Sequence, residues 1–351
     1  MLEIKNISIA LGAFKLKDIS FDVRRGEYFV ILGESGIGKS VLLEILAGLL
    51  HQKTGSIILN NKDVSHVPIQ KRDVGLVYQD QALFPHLNVR KNIEYSLKCK
   101  KLKSADTKMK ISEIAAQLGV EHLLNRMPGT LSLGEAQRVA LARTLVSEPE
   151  ILLLDEPLSS LDIQAKSQMR SLLRKINQAG QTIIHVTHDY EEAIALAAKI
   201  AILERSSISQ TDTPDNIFHH PKSAFVANFI GIRNFYNGEL KKESVTLGIF
   251  KTNSIEFYIA TNANAGTGNL ILKSEDITIS KSCFESSAKN RFPGKIIDIE
   301  PARLGIEVTI DIGVTISALI TKNSLEKMEL KLEDIVWINF KATSAKYIEV
   351  N

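Results

Sequence analysis

Cysteine is scarce in this chain of 351 residues: Cys99 and Cys283 are too few for a disulfide framework or a thiolate zinc site, which suits a reducing compartment. Long apolar runs are also missing. The longest, Val41–Leu50 and Ala193–Leu203, are broken by Glu44 and Lys199 and fall short of the roughly 20 residues a membrane helix needs. The opening Met1-Leu2-Glu3-Ile4-Lys5 has no basic stretch leading into an apolar one, so no secretion signal is expected. Neither sign of charge dominates. Lys plus Arg number 43 against 40 Asp plus Glu, a net +3 that by itself implies no nucleic acid or anionic membrane partner. Hydrophobic residues at 44% and charged residues at 24% are ordinary for globular chains, and the length suits two domains. The expectation is a soluble, intracellular, two-domain protein.

The first 230 residues alternate branched apolar runs with helical patterns, the signature of a parallel sheet covered by helices. Tyr28–Leu32, Val74–Tyr78, Ile151–Leu154, Thr182–Val186 and Ile200–Leu203 read as short strands. Ser40–Leu50, Asp106–Leu118 and Ile163–Gln178 read as helices, and Gly134 opens another that buries Val139, Ala142, Leu145 and Val146. From Phe235 the texture changes. Ile306, Val308, Ile310 and Ile312 alternate with polar residues, Val314–Ile320 resumes after Gly313, and Val336, Ile338 and Phe340 repeat the pattern. This tail predicts a small β-barrel or pair of barrels with a short helix near Ser324–Met328, and Asn262–Asn269 as a turn. The boundary is placed between 1–230 and 231–351.

Gly33-Glu34-Ser35-Gly36-Ile37-Gly38-Lys39-Ser40 fits the G-x-x-x-x-G-K-[ST] pattern between an apolar strand and an apolar helix. Such a loop curls so that successive N–H groups face phosphate oxygens at a helix N-terminus. Lys39 then bridges the terminal phosphates, and the Ser40 hydroxyl binds Mg²⁺. Ile151–Leu154 is an apolar strand ending in Asp155 and Glu156. The first carboxylate suits Mg²⁺ held through water, and the second suits polarising an attacking water. The other reading of the pair, a solvated strand end, fits poorly beside a phosphate loop. His188 ends another β run; it is either structural or a γ-phosphate contact.

These residues resemble the ATP-binding subunits of ABC transporters. Leu131-Ser132-Leu133-Gly134-Glu135 is similar to that family's L-S-G-G-Q signature, Gln79 to its Q-loop glutamine and Ser160-Leu161-Asp162 to its D-loop. The likeness implies an α/β P-loop ATPase domain with a helical subdomain at about 85–150. It implies ATP and Mg²⁺ as cofactors, with Gln79 beside Ser40 and Asp155 at the metal and beside Glu156 and His188 in hydrolysis. Phe14 is the expected adenine-stacking ring, with Tyr28 and Phe21 nearby as alternatives. The family mechanism needs a head-to-tail homodimer, in which Ser132 and Gly134 of one copy reach the ATP held by the Walker A loop of the other. Two membrane permease subunits, and indirectly a substrate-binding protein, complete the assembly at the cytoplasmic face of the membrane. No nucleic-acid partner is implied. Two departures stand in the signature: Leu133 replaces a glycine where the facing copy comes close, and Glu135 replaces glutamine. The stretch Gln79–Asn92 leaves apolar groups in a proline-containing loop. It either receives the permease or tucks Phe84 and Leu87 into the local core.

The tail resembles the barrels (OB, TOBE or Mop type) of import ATPases, with Leu272-Lys273-Ser274-Glu275-Asp276-Ile277 in place of an L-R-P-E-[DN]-I stretch. Ser317–Ser324 and Phe340–Ser344 are similar to the molybdate-binding barrels of archaeal-type molybdate/tungstate importers. The implied regulatory oxyanion would meet Thr321, Lys322, Asn323, Ser324, Lys341 and Ser344, with Ser324 as a helix cap. Alternatively these are solvated strand ends. Bound oxyanion is then expected to inhibit transport. Sugar, sulfate, polyamine or iron import is the alternative cargo reading.

Overall fold

The computed structural model describes residues 1–12, 14–98, 104–253, 255–302 and 304–349. Cys99 lies outside them, and Cys283 is free and exposed. The chain forms two compact units, Met1–Ile217 and Phe218–Asn351. That division precedes the expected 230/231, because the short helix Ala224–Phe229 packs on the first strand of the second unit, Asn234–Lys242.

In the first unit, β1 (Leu2–Leu11), β2 (Phe14–Val23), β4 (Thr54–Leu59) and β5 (Lys62–Asp63) form an antiparallel sheet in the order β2-β1-β4-β5. A second sheet has the order β10-β9-β3-β8-β7-β6. It is built from β3 (Tyr28–Leu32), β6 (Val74–Val77), β7 (Ile151–Asp155), β8 (Thr182–Thr187), β9 (Lys199–Glu204) and β10 (Ser207–Asp212). Its strands are parallel from β9 to β6, and only β10 runs antiparallel. Every residue of β3, β7 and β8 is buried, as a central parallel strand covered on both faces requires. The first antiparallel pair has a legible signal in Leu2, Ile4, Ile7 and Ile9 against Leu16, Ile19, Phe21 and Val23, all buried. Register shifts around Ile7 interrupt the period of two, which hides the pattern.

The helices are α1 (Lys39–Ala47), α2 (Val89–Tyr95), α3 (Ser104–Leu118), α4 (Leu133–Leu145), α5 (Ile163–Gln178) and α6 (Tyr190–Leu196). The first ends before the expected Leu50, because Gly48 takes φ 82 and closes it. Gly48 also faces the guanidinium of Arg72, whose Nε would lie 2.6 Å from an added Cβ. Arg72 is fully buried and donates to the carbonyls of Ile45, Leu46, Ser65 and Val67, binding the end of α1 to the following loop. Helices α2, α3 and α4 pack on one another as the expected helical subdomain.

The second unit contains α7 from Phe218 onward (whole element Pro214–His219), α8 (Ala224–Phe229) and two antiparallel sheets. One has the order β13-β12-β11-β14-β20: β11 (Asn234–Lys242), β12 (Leu247–Thr252), β13 (Ile255–Ala260), β14 (Gly266–Leu272) and β20 (Ala345–Glu349). The other has the order β15-β19-β16-β17-β18: β15 (Thr278–Ser280), β16 (Asn290–Ala302), β17 (Gly305–Asp311), β18 (Thr315–Ile320) and β19 (Ile335–Phe340). They share one core that includes Phe250, Phe257, Leu270, Ile296, Val308, Ile338 and Phe340. Two buried asparagines clasp the sheets where strands of different sheets meet. Asn234 donates to Ser317 O and accepts from Ser317 N at 2.8 and 2.7 Å. Asn290 does the same to Tyr258, both at 2.8 Å. Each amide takes the place of a neighbouring peptide and leaves no buried backbone group unpaired there.

Two sequence expectations are corrected here. Asn262–Asn269 is only partly a turn: β14 starts at Gly266, and Asn269 is buried opposite Ile348. Gly268 is there for close approach, since a Cβ would come within 2.4 Å of the Tyr347 ring. The helix α9 (Lys322–Met328) is capped by Thr321 and not by Ser324, whose N–H donates to Thr321 Oγ1 at 3.1 Å. A threonine one residue before the helix can reach the third N–H; a serine inside it cannot.

Candidate functional site

The loop after β3 carries its strain in two glycines. Gly36 and Gly38 take φ 79 and 106, and Gly38 ends the loop as the cap of α1. The Phe14 ring of β2 lies over it, with Cζ 2.1 Å from where a Gly38 Cβ would stand. The expected adenine ring is therefore set against the phosphate loop itself. Lys39 is buried, and its ammonium donates to Gly33 O and Glu34 O, both at 2.9 Å. Burial lowers its pKa, opposed by the nearby charges of Glu156 and Asp155.

Across the sheet, β7 brings Asp155 beneath α1. Ser40 Oγ donates to Asp155 Oδ1 at 3.0 Å, although the two are 115 positions apart. Burial raises the Asp155 pKa, and the Ser40 bond works against it. A hydroxyl and a carboxylate in contact at the mouth of a phosphate loop are hard oxygen donors of the kind Mg²⁺ takes, and the pair fits that ion. Among the described residues no cluster of three His, Cys, Asp or Glu side chains forms a metal site by itself.

Glu156 follows in the left-handed region at φ 43, with its N–H on Val186 O. Its Oε1 lies 3.1 Å from His188 Nδ1 and 3.8 Å from Lys39 Nζ. The carbonyl of Glu156 accepts from Ser159 Oγ at 3.0 Å, and that oxygen accepts from Gln79 Nε2 at 3.2 Å. The structure thus brings Gln79, Ser159, Glu156, His188 and Lys39 into one connected group. Gln79 touches Ser159 and not the Ser40–Asp155 pair with which it was expected. Ser159 was missed by sequence reasoning, although it sits in the serine pair before Leu161-Asp162.

Ser132 caps α4, accepting from Glu135 N at 3.3 Å, while Glu135 Oε2 accepts from Ser132 N at 2.8 Å. In this reciprocal box the glutamate, as a glutamine also could, satisfies the serine's own N–H, and the bond holds the Glu135 pKa down. Leu133 is 55% exposed, and nothing in the same chain covers it among the described residues. Gly134 is the second residue of the helix, and a Cβ there would meet Ala165 Cβ at 3.7 Å, an ordinary contact distance. Within one chain no described contact joins Ser132 or Gly134 to the Lys39 group. Asp162 caps α5, its Oδ1 accepting from Ala165 N at 2.8 Å.

Phe84 is half-buried against Tyr95 at 4.5 Å between ring centroids, and buried Asn92 bonds both its N–H and its C=O. Tyr95 itself stays 45% exposed, so the region is both locally packed and apolar at its surface. In the second unit, Thr321, Lys322, Asn323 and Ser324 make the first turn of α9, and Lys322 pairs with Glu326 at 3.9 Å. Ser344 N donates to Lys341 O at 3.0 Å, and Ser344 lines a cavity of about 810 Å³ with Lys273 and Lys346. No hydrogen bond or ion pair among the described residues joins Thr321–Ser324 to Lys341 or Ser344.

Behind His188 lies a buried group that sequence reasoning missed. Tyr28 Oη is 3.1 Å from His185 Nδ1, and Glu192 Oε2 accepts from Thr187 Oγ1 at 2.9 Å. Burial alone pushes the His185 pKa down to about 3, so its 3.8 Å approach to Glu192 joins a neutral ring to the carboxyl and is no ion pair. The folded state resists protonation that the unfolded chain accepts near 6.5. His185 therefore stabilises the fold above pH 6.5, and that stability is lost as pH falls from 6.5 toward about 3. The slope is at most about 1.4 kcal/mol per pH unit. Glu192, raised by burial, takes up its proton earlier in the folded state and offsets part of the loss at the acid end. Denaturant melts across this range should show the decline, and His185→Gln should flatten it. Equal slopes in both proteins would assign the acid sensitivity elsewhere.

Known families match parts of both units. The ABC transporter family matches residues 16–159, and the TOBE domain matches residues 286–346. The chain is 39% identical over 99% of its length to a molybdate/tungstate import ATP-binding protein of Pyrococcus abyssi, covering 99% of that protein. It is 35% identical over 99% of its length to a spermidine/putrescine import ATP-binding protein of Thermotoga maritima, covering 98% of it. Among solved structures, a part of the cbiONQ ABC transporter complex of Clostridium perfringens matches with TM-score 0.59 and 28% identity, over 65% of this chain and 94% of that one. An ATP-binding cassette in a dimeric post-hydrolysis state with ADP and Pi matches with TM-score 0.55 and 28% identity, over 61% of this chain and 99% of that one.

Proposed function

The chain belongs to the import ATP-binding proteins of the ABC transporter family, and on that premise we propose that it powers molybdate or tungstate uptake. It is an ATPase whose hydrolysis is coupled to transport. The observation that supports the cargo is the higher identity to molybdate/tungstate import subunits, 39% against 35% for the spermidine/putrescine relative of Thermotoga maritima that matches over the same 99% of the chain.

In the proposed cycle Lys39 moves its donors from the carbonyls of Gly33 and Glu34 to the terminal phosphates, while N–H groups of Glu34–Ser40 cradle them at the start of α1. Phe14 stacks on adenine. Ser40 and Asp155 would hold Mg²⁺, which supplies charge neutralisation on the phosphate oxygens. Glu156 polarises the attacking water, and His188 holds the Glu156 carboxylate in place beside the γ-phosphate. Gln79, through Ser159, reports on the same carboxylate's backbone.

Ser132 is exposed at the start of α4, with Gly134 beside it, and no described contact within the chain joins them to the Lys39 group. A second copy, turned head to tail, would bring its bound nucleotide to them. Asp162, capping α5, would face that copy. Such a homodimer would sit at the cytoplasmic face of two permease subunits, with the Phe84–Tyr95 region as the contact. Among the described residues no helix is long and apolar enough to cross a membrane. In the tail, Thr321–Ser324, Lys341 and Ser344 would meet an oxyanion where the tails of two copies combine. Bound oxyanion that favours the open state over the closed one would inhibit transport.

Calorimetric titration of the full chain with molybdate, tungstate, sulfate, phosphate and spermidine tests the cargo. The expected result is binding of molybdate and tungstate, with no heat from sulfate, phosphate or spermidine. Spermidine binding with no response to either metal oxyanion would move the assignment to polyamine import, which the Thermotoga maritima relative represents.

A further inference from the structure

The loop that follows Gln79 contains an energetic oddity. Gln81 and Ala82, both with side chains, sit at φ 59 and 44, a region L-residues avoid. Two successive left-handed residues need an external hold, and one is present. Arg143, near the end of α4, donates Nη1 to Ala82 O at 2.7 Å and Nη2 to Gln81 O at 3.0 Å. Its guanidinium carbon also lies 5.3 Å from the centroid of the Phe84 ring. The planar fork thus grips consecutive carbonyls while its face covers the ring that closes the loop. Inside the turn, Gln81 Nε2 donates to Gln79 O at 3.0 Å and Ala82 N to Asp80 O at 2.7 Å. The backbone of Gln79 is therefore fixed by the residues that Arg143 holds.

We infer that Arg143 is a positioning residue for ATP hydrolysis, clamping the strained Gln81–Ala82 turn so that Gln79 reaches Ser159 and, through it, Glu156. The same helix that offers Ser132 at one end holds this turn at its other end. A displacement of α4 is thereby felt at the hydrolytic group of its own chain. The inference rests on the ATPase reading above. A lysine would keep the charge and lose the clamp, because an ammonium has no fixed pair of parallel donors.

The test is a cycle in the full chain. Arg143→Lys is made in the wild-type loop and in a loop carrying Gln81→Gly and Ala82→Gly, since glycine takes positive φ without penalty. Steady-state turnover gives kcat and KM, nucleotide titration gives ATP affinity, and circular dichroism checks folding. In the wild-type loop Arg143→Lys should lower kcat about tenfold while ATP affinity stays within about twofold. In the glycine loop the same substitution should cost less than about threefold, because less strain remains to be held. A kcat within about twofold of wild type, or an equal loss in both loops, would overturn the inference. Unfolding of Arg143→Lys in both loops would reduce the arginine to a core residue and overturn it too; unfolding in the wild-type loop alone would support it. A wild-type chain without turnover would sink the ATPase reading and this inference together, whereas every other adverse result sinks the inference alone.

Discussion

Glu156→Gln should leave ATP binding within a few-fold of wild type and cut hydrolysis by about 100-fold or more. Glutamine has the shape of glutamate, keeps an oxygen or nitrogen 3.1 Å from His188, and removes only the charge that polarises water. Loss of that charge also frees Lys39 from a carboxylate 3.8 Å away, which does not weaken the grip on phosphate. The measurement is single-turnover hydrolysis beside equilibrium nucleotide titration. Turnover within tenfold of wild type would mean that another group, with Asp155 and His188 the nearest alternatives, prepares the water.

Gly38→Ala should lower ATP affinity by about 100-fold, the scale expected when a binding loop is displaced by an ångström. Two independent causes act. The residue sits at φ 106, where a Cβ is strained whatever the space, and that Cβ would lie 2.1 Å from Phe14 Cζ and 2.7 Å from Cε2. Phe14→Ala relieves the clash but also removes the ring proposed to stack on adenine, so it is made in both backgrounds. Gly38→Ala should cost less in the Phe14→Ala chain than in the wild-type chain, but still something, because the backbone strain remains. Gly36→Ala is the control: φ 79 is strained too, but no atom lies within 4 Å of its Cβ, so a smaller loss is expected. Nucleotide titration of the wild type, the three single variants and the double variant separates the causes, and no loss from Gly38→Ala in the Phe14→Ala chain would leave the clash as the only one.

Much of this was readable along the chain because the signals are local. The strands β3, β7 and β8 announce themselves as branched apolar runs, and α5 spans Ile163–Gln178, the bounds its periodicity predicts. Where a signal depends on a partner, reading fails. The bulged β1 looks irregular until β2 and β4 are beside it. The start of β14 looks like a flexible tip because its glycine answers to Tyr347, far along the sequence. Thr321 outranks Ser324 as cap only once the first residue of α9 is known, a matter of one position that composition cannot resolve. The likeness to oxyanion-binding barrels groups Thr321–Ser324 with Lys341 and Ser344, whereas the fold sets the first four at the start of α9 and bonds Ser344 N to Lys341 O after β19.

By itself the amino-acid order determined which groups could grip a triphosphate: a loop of glycines ending in Lys39-Ser40, and a buried strand ending in two acids, each encoded within a few residues. Tertiary structure alone decided which of them meet. Ser40 finds Asp155, Gln79 finds Glu156 through Ser159, and Arg143 finds the turn at Gln81–Ala82. The physical reason is that backbone conformation follows from near neighbours, whereas contacts across 61 to 115 positions depend on strand order, register and the packing of covered sheets.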